Sequence, residues 1–387
     1  MIVVAGAGPA GIAAALRVHE CGAPVTVIDD NPAPGGQIWR GMENKWVARL
    51  RASGVPVLTG TRIISGEPQA RTLLLETPAG SPRTITYTKL IIATGSRELF
   101  LPFPGWTLPG VFGAGGLQAL AKAGLPVAGK KIVVGGSGPL LLAVAAYLRE
   151  RGAEVKLIAE QTSQTRLAWF AGVVLRSPQK LWQGGGLAWT LAGVPYITDC
   201  RIVSATGAGR LESVTLQRGD HTWNEDCDYA AIGFGLVPNH ELALLLGASP
   251  DILIAATGEV ELSIVEGEIA GFLAAGHPQR AASLFPKRAK ARRFASALQH
   301  AFALRDELRA LPHPDTIVCR CEDVTLERLR AFPDARAAKL HTRCGMGPCQ
   351  GRVCGPATEF LFGWSAGSLR PPCFPTRLRN LLPATTE

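Results

Sequence analysis

No Cys-x-x-Cys occurs in the 387 residues, which excludes a redox dithiol of that spacing. No apolar run reaches the roughly 20 residues that a membrane-spanning helix needs. The beginning does not read as an export leader either, because the apolar stretch opens at Ile2 and becomes a glycine loop by Gly6. A cytoplasmic location is therefore expected. The seven histidines have no spacing that pairs them with acids or cysteines, so no acid, base or nucleophile is assigned. Charged residues make up only 18% of the chain, against 47% hydrophobic, and that balance buries a large core and argues against global disorder. The formal charge is +9. The densest basic run, Lys287–Arg293, has no aromatic series or motif for nucleic acid beside it, and reads as a solvated helix face or a subunit contact.

The length suggests two or three domains. A repeat supports this. Residues 2–30 run Ile2-Val3-Val4-Ala5, a glycine loop, an alanine-rich helix to about His19, then Val25–Ile28 closing on Asp29. Residues 132–160 run Ile132-Val133-Val134, a glycine loop, a helix to about Arg151, then Val155–Ile158 ending near Glu160. Two such βαβ units predict two doubly wound α/β domains. The chain is expected to leave the first near 125 and to return after about 230, at the apolar run Tyr229–Gly235.

The first loop is Gly6-x-Gly8-Pro9-Ala10-Gly11. Its first glycine permits the turn, its second admits a pyrophosphate, and its third lets helix and strand close up. The helix N-terminus offers N–H groups and a positive dipole end to phosphates. Asp29 stands where a carboxylate accepts hydrogen bonds from a ribose. In the second loop, Gly136-x-Gly138, Leu141 replaces the third glycine. The expectation there is a retained scaffold without a ligand, with a nicotinamide site as the alternative.

The nine cysteines are unevenly placed: five lie between 319 and 354, as Cys319-x-Cys321, Cys344-x4-Cys349 and Cys354. Thiolates in that density select zinc, copper(I) or iron–sulfur clusters. Zinc ribbons space their pairs by two to four residues, so Cys319, Cys321, Cys344 and Cys349 fit a [2Fe–2S] loop better than zinc. Cys354 reads as a buried spare thiol, His341 as a surface residue, and Cys21, Cys200, Cys227 and Cys373 as ordinary thiols.

Further motifs carry a resemblance. Asp30–Gln37, with its Gly35-Gly36-Gln37 turn, and Ile91-Ile92-Ala93-Thr94-Gly95 resemble segments that lie beside the flavin in two-domain flavoprotein reductases. They favour FAD over NAD at the first loop, with Gly36, Gln37, Thr94 and Gly95 added to its contacts. Val318–Val324 and Thr342–Gly351 resemble the bacterioferritin-associated-ferredoxin-like domain. Together with Gly110–Gln118, they make the whole chain similar to the alpha subunits of multi-subunit amine and amino-acid dehydrogenases, a group that includes opine oxidases, hydrogen cyanide synthase and proline dehydrogenases. One element of two-domain flavoproteins is missing: the segment Ile252–Glu259, which stands before Ile264 where a Gly-Asp is expected, holds none, and Glu259 is the candidate substitute.

The resemblance implies a glutathione-reductase-like pair of Rossmann-like domains plus a small helical C-terminal iron–sulfur domain. Residues 1–125 and 230–277 would bind FAD, 126–229 would form the second dinucleotide-binding-like domain, 278–316 a basic helix and linker, and 317–365 the [2Fe–2S] domain. It implies an electron-transfer subunit that serves a catalytic beta flavoprotein subunit, the latter acting on C–N bonds. It allows FMN at a subunit interface and a small additional subunit, and it leaves NAD(P) doubtful. The alternatives are a self-contained NAD(P)H-dependent reductase and a non-enzymatic redox sensor or scaffold.

Overall fold

The computed structural model describes residues 1–42, 44–365 and 369–382. The chain forms two compact units. One contains Met1–Arg97, Val237–Ala295 and the C-terminal tail, and the other contains Glu98–Leu236 and the chain from Ser296 through the cysteine segment.

The first unit is built on a five-stranded parallel sheet, ordered Ile252–Ile254, Lys89–Ile92, Ile2–Ala5, Val25–Ile28, Val57–Leu58. Ile2–Ala5 is buried along its whole length. That is why it reads as an unbroken apolar run: a parallel strand covered on both faces has no solvent side to alternate with. An antiparallel meander, Arg62–Glu67, Thr72–Glu76 and Pro82–Thr86, completes the sheet structure of this unit.

The helix that follows the first glycine loop, Pro9–Glu20, lies against Val260–Ala274. Small residues permit the approach. A Cβ on Gly267 would stand 2.1 Å from the Ala10 carbonyl oxygen, and one on Gly271 would stand 2.5 Å from that of Ala14. The same pair of helices buries Glu268, which Arg17 and Lys287 neutralise. Arg292 pairs with Glu266 at 2.7 Å. The basic run Lys287–Arg293 lies on a helix with Lys287, Lys290, Arg292 and Arg293 exposed, the solvated face that was one of the two expectations, and Lys287, Arg288 and Arg292 also pair with acids of their own chain.

The second unit repeats the plan. Its parallel sheet is ordered Tyr196–Ile197, Glu154–Glu160, Lys131–Gly136, Tyr229–Gly233, Val111–Gly113, and it carries the meander Cys200–Thr206, Ser213–Arg218, His221–Asp226. The expected return to the first domain at Tyr229 is displaced. Tyr229–Gly233 pairs with Lys131–Gly136 in the second sheet, and the chain rejoins the first unit at Val237. A short buried apolar run does not say which parallel sheet it will join.

The cysteine segment belongs to this second unit. It has its own small core of Val318, Val324, Leu326, Leu329 and Ala338. Trp106 anchors it to the larger core by donating its indole N–H to the Ile317 carbonyl at 2.6 Å. No helix among the described residues is long and apolar enough to cross a membrane.

Candidate functional site

At the first loop the three glycines do different work. Gly6 has φ +105°, and a Cβ there would stand 2.3 Å from the Ala93 carbonyl oxygen. A Cβ on Gly11 would stand 1.8 Å from the carbonyl oxygen of Gly6. Both positions are closed by the protein itself. Gly8 is different: the nearest atom to its Cβ position is Gly36 Cα, 4.0 Å away. The missing side chain leaves a space that the backbone around it does not fill. Pro9 begins the helix, whose N-terminus carries no side-chain cap. Its first N–H groups are the kind that hold phosphate.

The structure brings the other expected residues to this loop. Gly35 donates its N–H to the Ala7 carbonyl at 2.8 Å, which lays the Gly35-Gly36-Gln37 turn on the loop. Ala93, whose carbonyl limits Gly6, leads into Thr94 and Gly95. Asn239 was not singled out in the sequence, but it pins this corner. Its amide donates to the Thr94 carbonyl at 2.9 Å, and the Thr94 hydroxyl donates to the Asn239 carbonyl at 2.7 Å. A lone asparagine 145 residues away carries no sequence signal for this role.

Asp29 is buried, and its carboxylate accepts the N–H of Ala7 at 2.5 Å and that of Asn31 at 2.7 Å. It holds the loop in shape. Glu259 caps Val260–Ala274 by accepting the Leu262 N–H at 2.6 Å.

The second loop has the same skeleton. Gly136 is closed by the Gly233 carbonyl oxygen, 1.8 Å from its Cβ position. Glu160 is wholly buried and repeats the part of Asp29, accepting the N–H groups of Gly138 at 2.8 Å and Thr162 at 2.9 Å. Burial pushes its carboxyl pKa up, opposed by those two backbone donors. Leu141 is accommodated because the helix begins at Leu140, one position later in the motif than Pro9, and the leucine turns into the core beside Val144 and Leu117.

What lies over the two loops differs. The segment after the helix Phe285–Ala301 runs across the second loop. Ser137 donates its hydroxyl to the Phe302 carbonyl at 3.1 Å, and the Phe302 ring lies 4.0 Å from the Cβ position of Gly138. Gln161 and Arg166 donate to the Ala303 carbonyl at 3.3 and 3.2 Å. Phe170 meets Phe302 edge-on, and Arg305 pairs with Asp199 at 3.2 Å. The chain's own backbone occupies the mouth of this loop.

The cysteines converge. The Sγ atoms of Cys319, Cys344 and Cys354 all lie within 4.8 Å of one another. Cys319 ends the strand Ile317–Cys319, Cys344 follows the helix Ala335–Thr342, and Cys354 opens the helix Cys354–Phe362. Cys349 hydrogen-bonds Cys354 and Cys321, and Cys321 is exposed. The backbone N–H groups of Gly345 and Glu322 help to lower the Cys319 thiol pKa, and those of Gly351 and Val353 help to lower that of Cys349. Hydrogen bonds from Cys344 and Cys354 draw the Cys319 thiol pKa down. Gly347 makes room for Cys321, whose Cβ would lie 2.3 Å from a side chain there. Cys354 is therefore part of the cluster and not a thiol apart. His341 stacks on Phe332. Cys200 and Cys227 are core thiols, which burial pushes up to about 11 and about 12.

Two parallel-sheet units with glycine loops define a dinucleotide-type oxidoreductase, and the chain belongs to the pyridine nucleotide-disulphide oxidoreductase family, whose model matches residues 1–261. Its relatives are more particular. It is 32% identical to an opine oxidase subunit from Rhizobium meliloti over 97% of both chains. It is 29% identical to hydrogen cyanide synthase subunit HcnB of Pseudomonas aeruginosa, over 91% of this chain and 90% of that one. The group of subunits read from the motifs is thus matched along nearly the whole chain. Among solved structures, L-proline dehydrogenase from P. horikoshii shares the fold, with a TM-score of 0.69 at 17% identity over 99% of this chain and 79% of that one.

Proposed function

We propose that this chain is the FAD- and [2Fe–2S]-carrying electron-transfer subunit of a hetero-oligomeric dehydrogenase of amino acids, imino acids or opines. The thiol cluster carries the reading. Cys319, Cys344 and Cys354, gathered within 4.8 Å of one another in a segment that also carries Cys321 and Cys349, suit a soft metal centre, and glycines at 345, 347 and 351 let the backbone wrap it closely. The first loop suits FAD: Gly8 leaves a space that a Cβ would enter, the helix N-terminus is uncapped, and the Gly35-Gly36 turn lies alongside. When bound, FAD exchanges one or two electrons and a [2Fe–2S] centre exchanges one, which lets a two-electron oxidation feed a one-electron acceptor.

The roles of the residues follow. Gly6, Gly8, Pro9, Ala10 and Gly11 would receive the pyrophosphate. Asp29 would keep the loop in shape next to the ribose. Gly36, Gln37, Thr94 and Gly95 would border the flavin, with Asn239 positioning the last two. A partner flavoprotein subunit would oxidise the C–N bond, a division of labour that fits relatives named as single subunits of larger enzymes. The Phe302–Ala303 segment over the second loop weighs against NAD(P)H as the electron source.

The test is a spectrum of the anaerobically purified chain with iron, acid-labile sulfide and flavin assays. About two irons, two sulfides and one FAD per chain are expected, followed by co-purification of a flavoprotein partner. Zinc in place of iron would end the relay reading, and iron without flavin would end the FAD assignment.

A further inference from the structure

We propose that the helical hairpin of residues 164–190 is a docking surface for an anionic lipid membrane, on which the chain lies as a peripheral protein. The inference goes beyond the flavin and metal readings and depends on neither.

The hairpin consists of two helices of the second unit, Gln164–Leu175 and Pro178–Thr190. Ser163 opens the first by accepting the Arg166 N–H at 3.4 Å, and Pro178 stands at the start of the second, where its missing N–H has no intrahelical partner to lose. The chain's own core uses little of either. Phe170 is the one buried residue of the first helix, and it meets the ring of Phe302. No described side chain of the second helix is buried; Leu187 and the following Leu191 tie its end to the core.

What remains is apolar, aromatic and turned to solvent. The hairpin holds all three of the chain's exposed tryptophans, Trp169, Trp182 and Trp189. Trp182 is 88% exposed and Trp189 is 85% exposed. Seven residues apart, these two share one helix face. Leu175 and Leu181 are exposed on either side of the turn. Gly184, Gly185 and Gly186 lie between the two indoles, and a Cβ on any of them would meet nothing within 4 Å. Packing inside the chain does not require these glycines, although glycine in a helix interior is destabilising relative to alanine. Their effect is to leave the indoles standing clear. An indole has an apolar body and one N–H, which suits the boundary between lipid headgroups and acyl chains.

Charge selects the occupant. No aspartate or glutamate occurs from residue 161 to residue 198, whereas Arg166, Arg176 and Lys180 do. Tryptophan with cations and no acid matches an anionic bilayer, whose surface presents one sign throughout. A protein partner presents both signs, and the missing acids would then have no reason. The helices have 12 and 13 residues, too short to cross a bilayer and long enough to lie on one.

The test uses the full chain with any subunit that co-purifies. It is sedimented with vesicles of phosphatidylglycerol and phosphatidylcholine in equal parts, and with vesicles of phosphatidylcholine alone. Wild type should bind the first kind about tenfold or more tightly than the second, and added salt should release it. The double variant Trp182→Ala/Trp189→Ala keeps every charge and should bind about tenfold or more weakly than wild type. Arg176→Ser should lose about fivefold. Circular dichroism and the urea midpoint report folding, which exposed indoles should not affect.

Failure of wild type to bind anionic vesicles overturns the proposal. So does unchanged binding by the double variant, which would assign the attraction to the net charge of +9 alone. Equal binding to both kinds of vesicle overturns the anionic requirement. Loss of a co-purifying subunit from the double variant, with no vesicle binding by wild type, would make the hairpin a subunit interface instead. If the double variant does not fold, wild type decides: vesicles with brominated acyl chains should quench its indole fluorescence, and unquenched fluorescence overturns the proposal.

Discussion

Gly8 and Gly138 hold the same place in two copies of one βαβ plan, each beside a buried acid that accepts two backbone N–H groups. The nearest atom to a Cβ position stands 4.0 Å away at both, but around Gly8 it is another glycine's Cα, whereas around Gly138 it is the ring of Phe302, from a segment that covers the loop. The comparison separates two meanings of a glycine motif. Glycines at Gly6, Gly11 and Gly136 are dictated by carbonyl oxygens of their own unit. The middle glycine is not dictated in this way, and whether a ligand could arrive there depends on what else lies over it.

The third motif position should show the largest difference between the loops. Leu141→Ala leaves a cavity among Val144, Leu117 and Ala114, and a loss of about 2–5 kcal/mol is expected in urea unfolding. Gly11→Ala works in the opposite sense, forcing a Cβ against the Gly6 carbonyl, and should cost about 1–3 kcal/mol by overpacking. If Gly11→Ala were neutral, the tight approach at the first loop would be wrong.

The middle position tests ligand against fold. Gly8→Val should remove most of the flavin while the urea midpoint of the flavin-free protein changes little from that of flavin-free wild type, because the protein leaves that space open. A variant that keeps its flavin would show that the space is not a phosphate site. In the same spirit, anaerobic NADH or NADPH should not bleach the flavin of the wild-type chain. Bleaching at stoichiometric dinucleotide would mean that Phe302 and Ala303 do not close the second loop.

The buried acid gives a pH dependence. The Glu160 carboxyl pKa is raised in the folded state by burial. Its contribution is therefore fully present below the unfolded pKa and is lost as pH rises through the folded one. Stability should fall as pH climbs through and above the ordinary carboxylate range. Glu160→Gln should flatten that slope, with the loss of one of the two acceptors and about 1 kcal/mol. Ser137→Ala removes the hydrogen bond to the covering segment and the one accepted from the Gln161 amide, and about 0.5–1.5 kcal/mol is expected for each.

Much of the first loop was legible because its contacts are local in sequence or repeated in pattern. Gly6-x-Gly8-x-x-Gly11 lies between a buried strand and an alanine-rich helix, and Asp29 closes the unit 22 residues after Ala7. Asn239 was not legible, since nothing in its neighbourhood announces that it will bond Thr94. Tyr229–Gly233 was read as a strand but assigned to the wrong sheet, because a fully buried strand shows the same apolar run in either. The basic run 287–293 was legible as a helix face, but its partners Glu266 and Glu268 lie on another helix.

The sequence by itself determined the repeated strand–glycine–helix–strand units and the presence of a thiol-rich segment. These follow from hydrophobic period, from the steric demands of glycine, and from ligand chemistry within short stretches of chain. Only the tertiary structure decided that Phe302 lies over Gly138, and that Cys354 gathers with Cys319 and Cys344. Both depend on how distant segments pack, and packing is set by shape and burial across the whole unit, which no local spacing encodes.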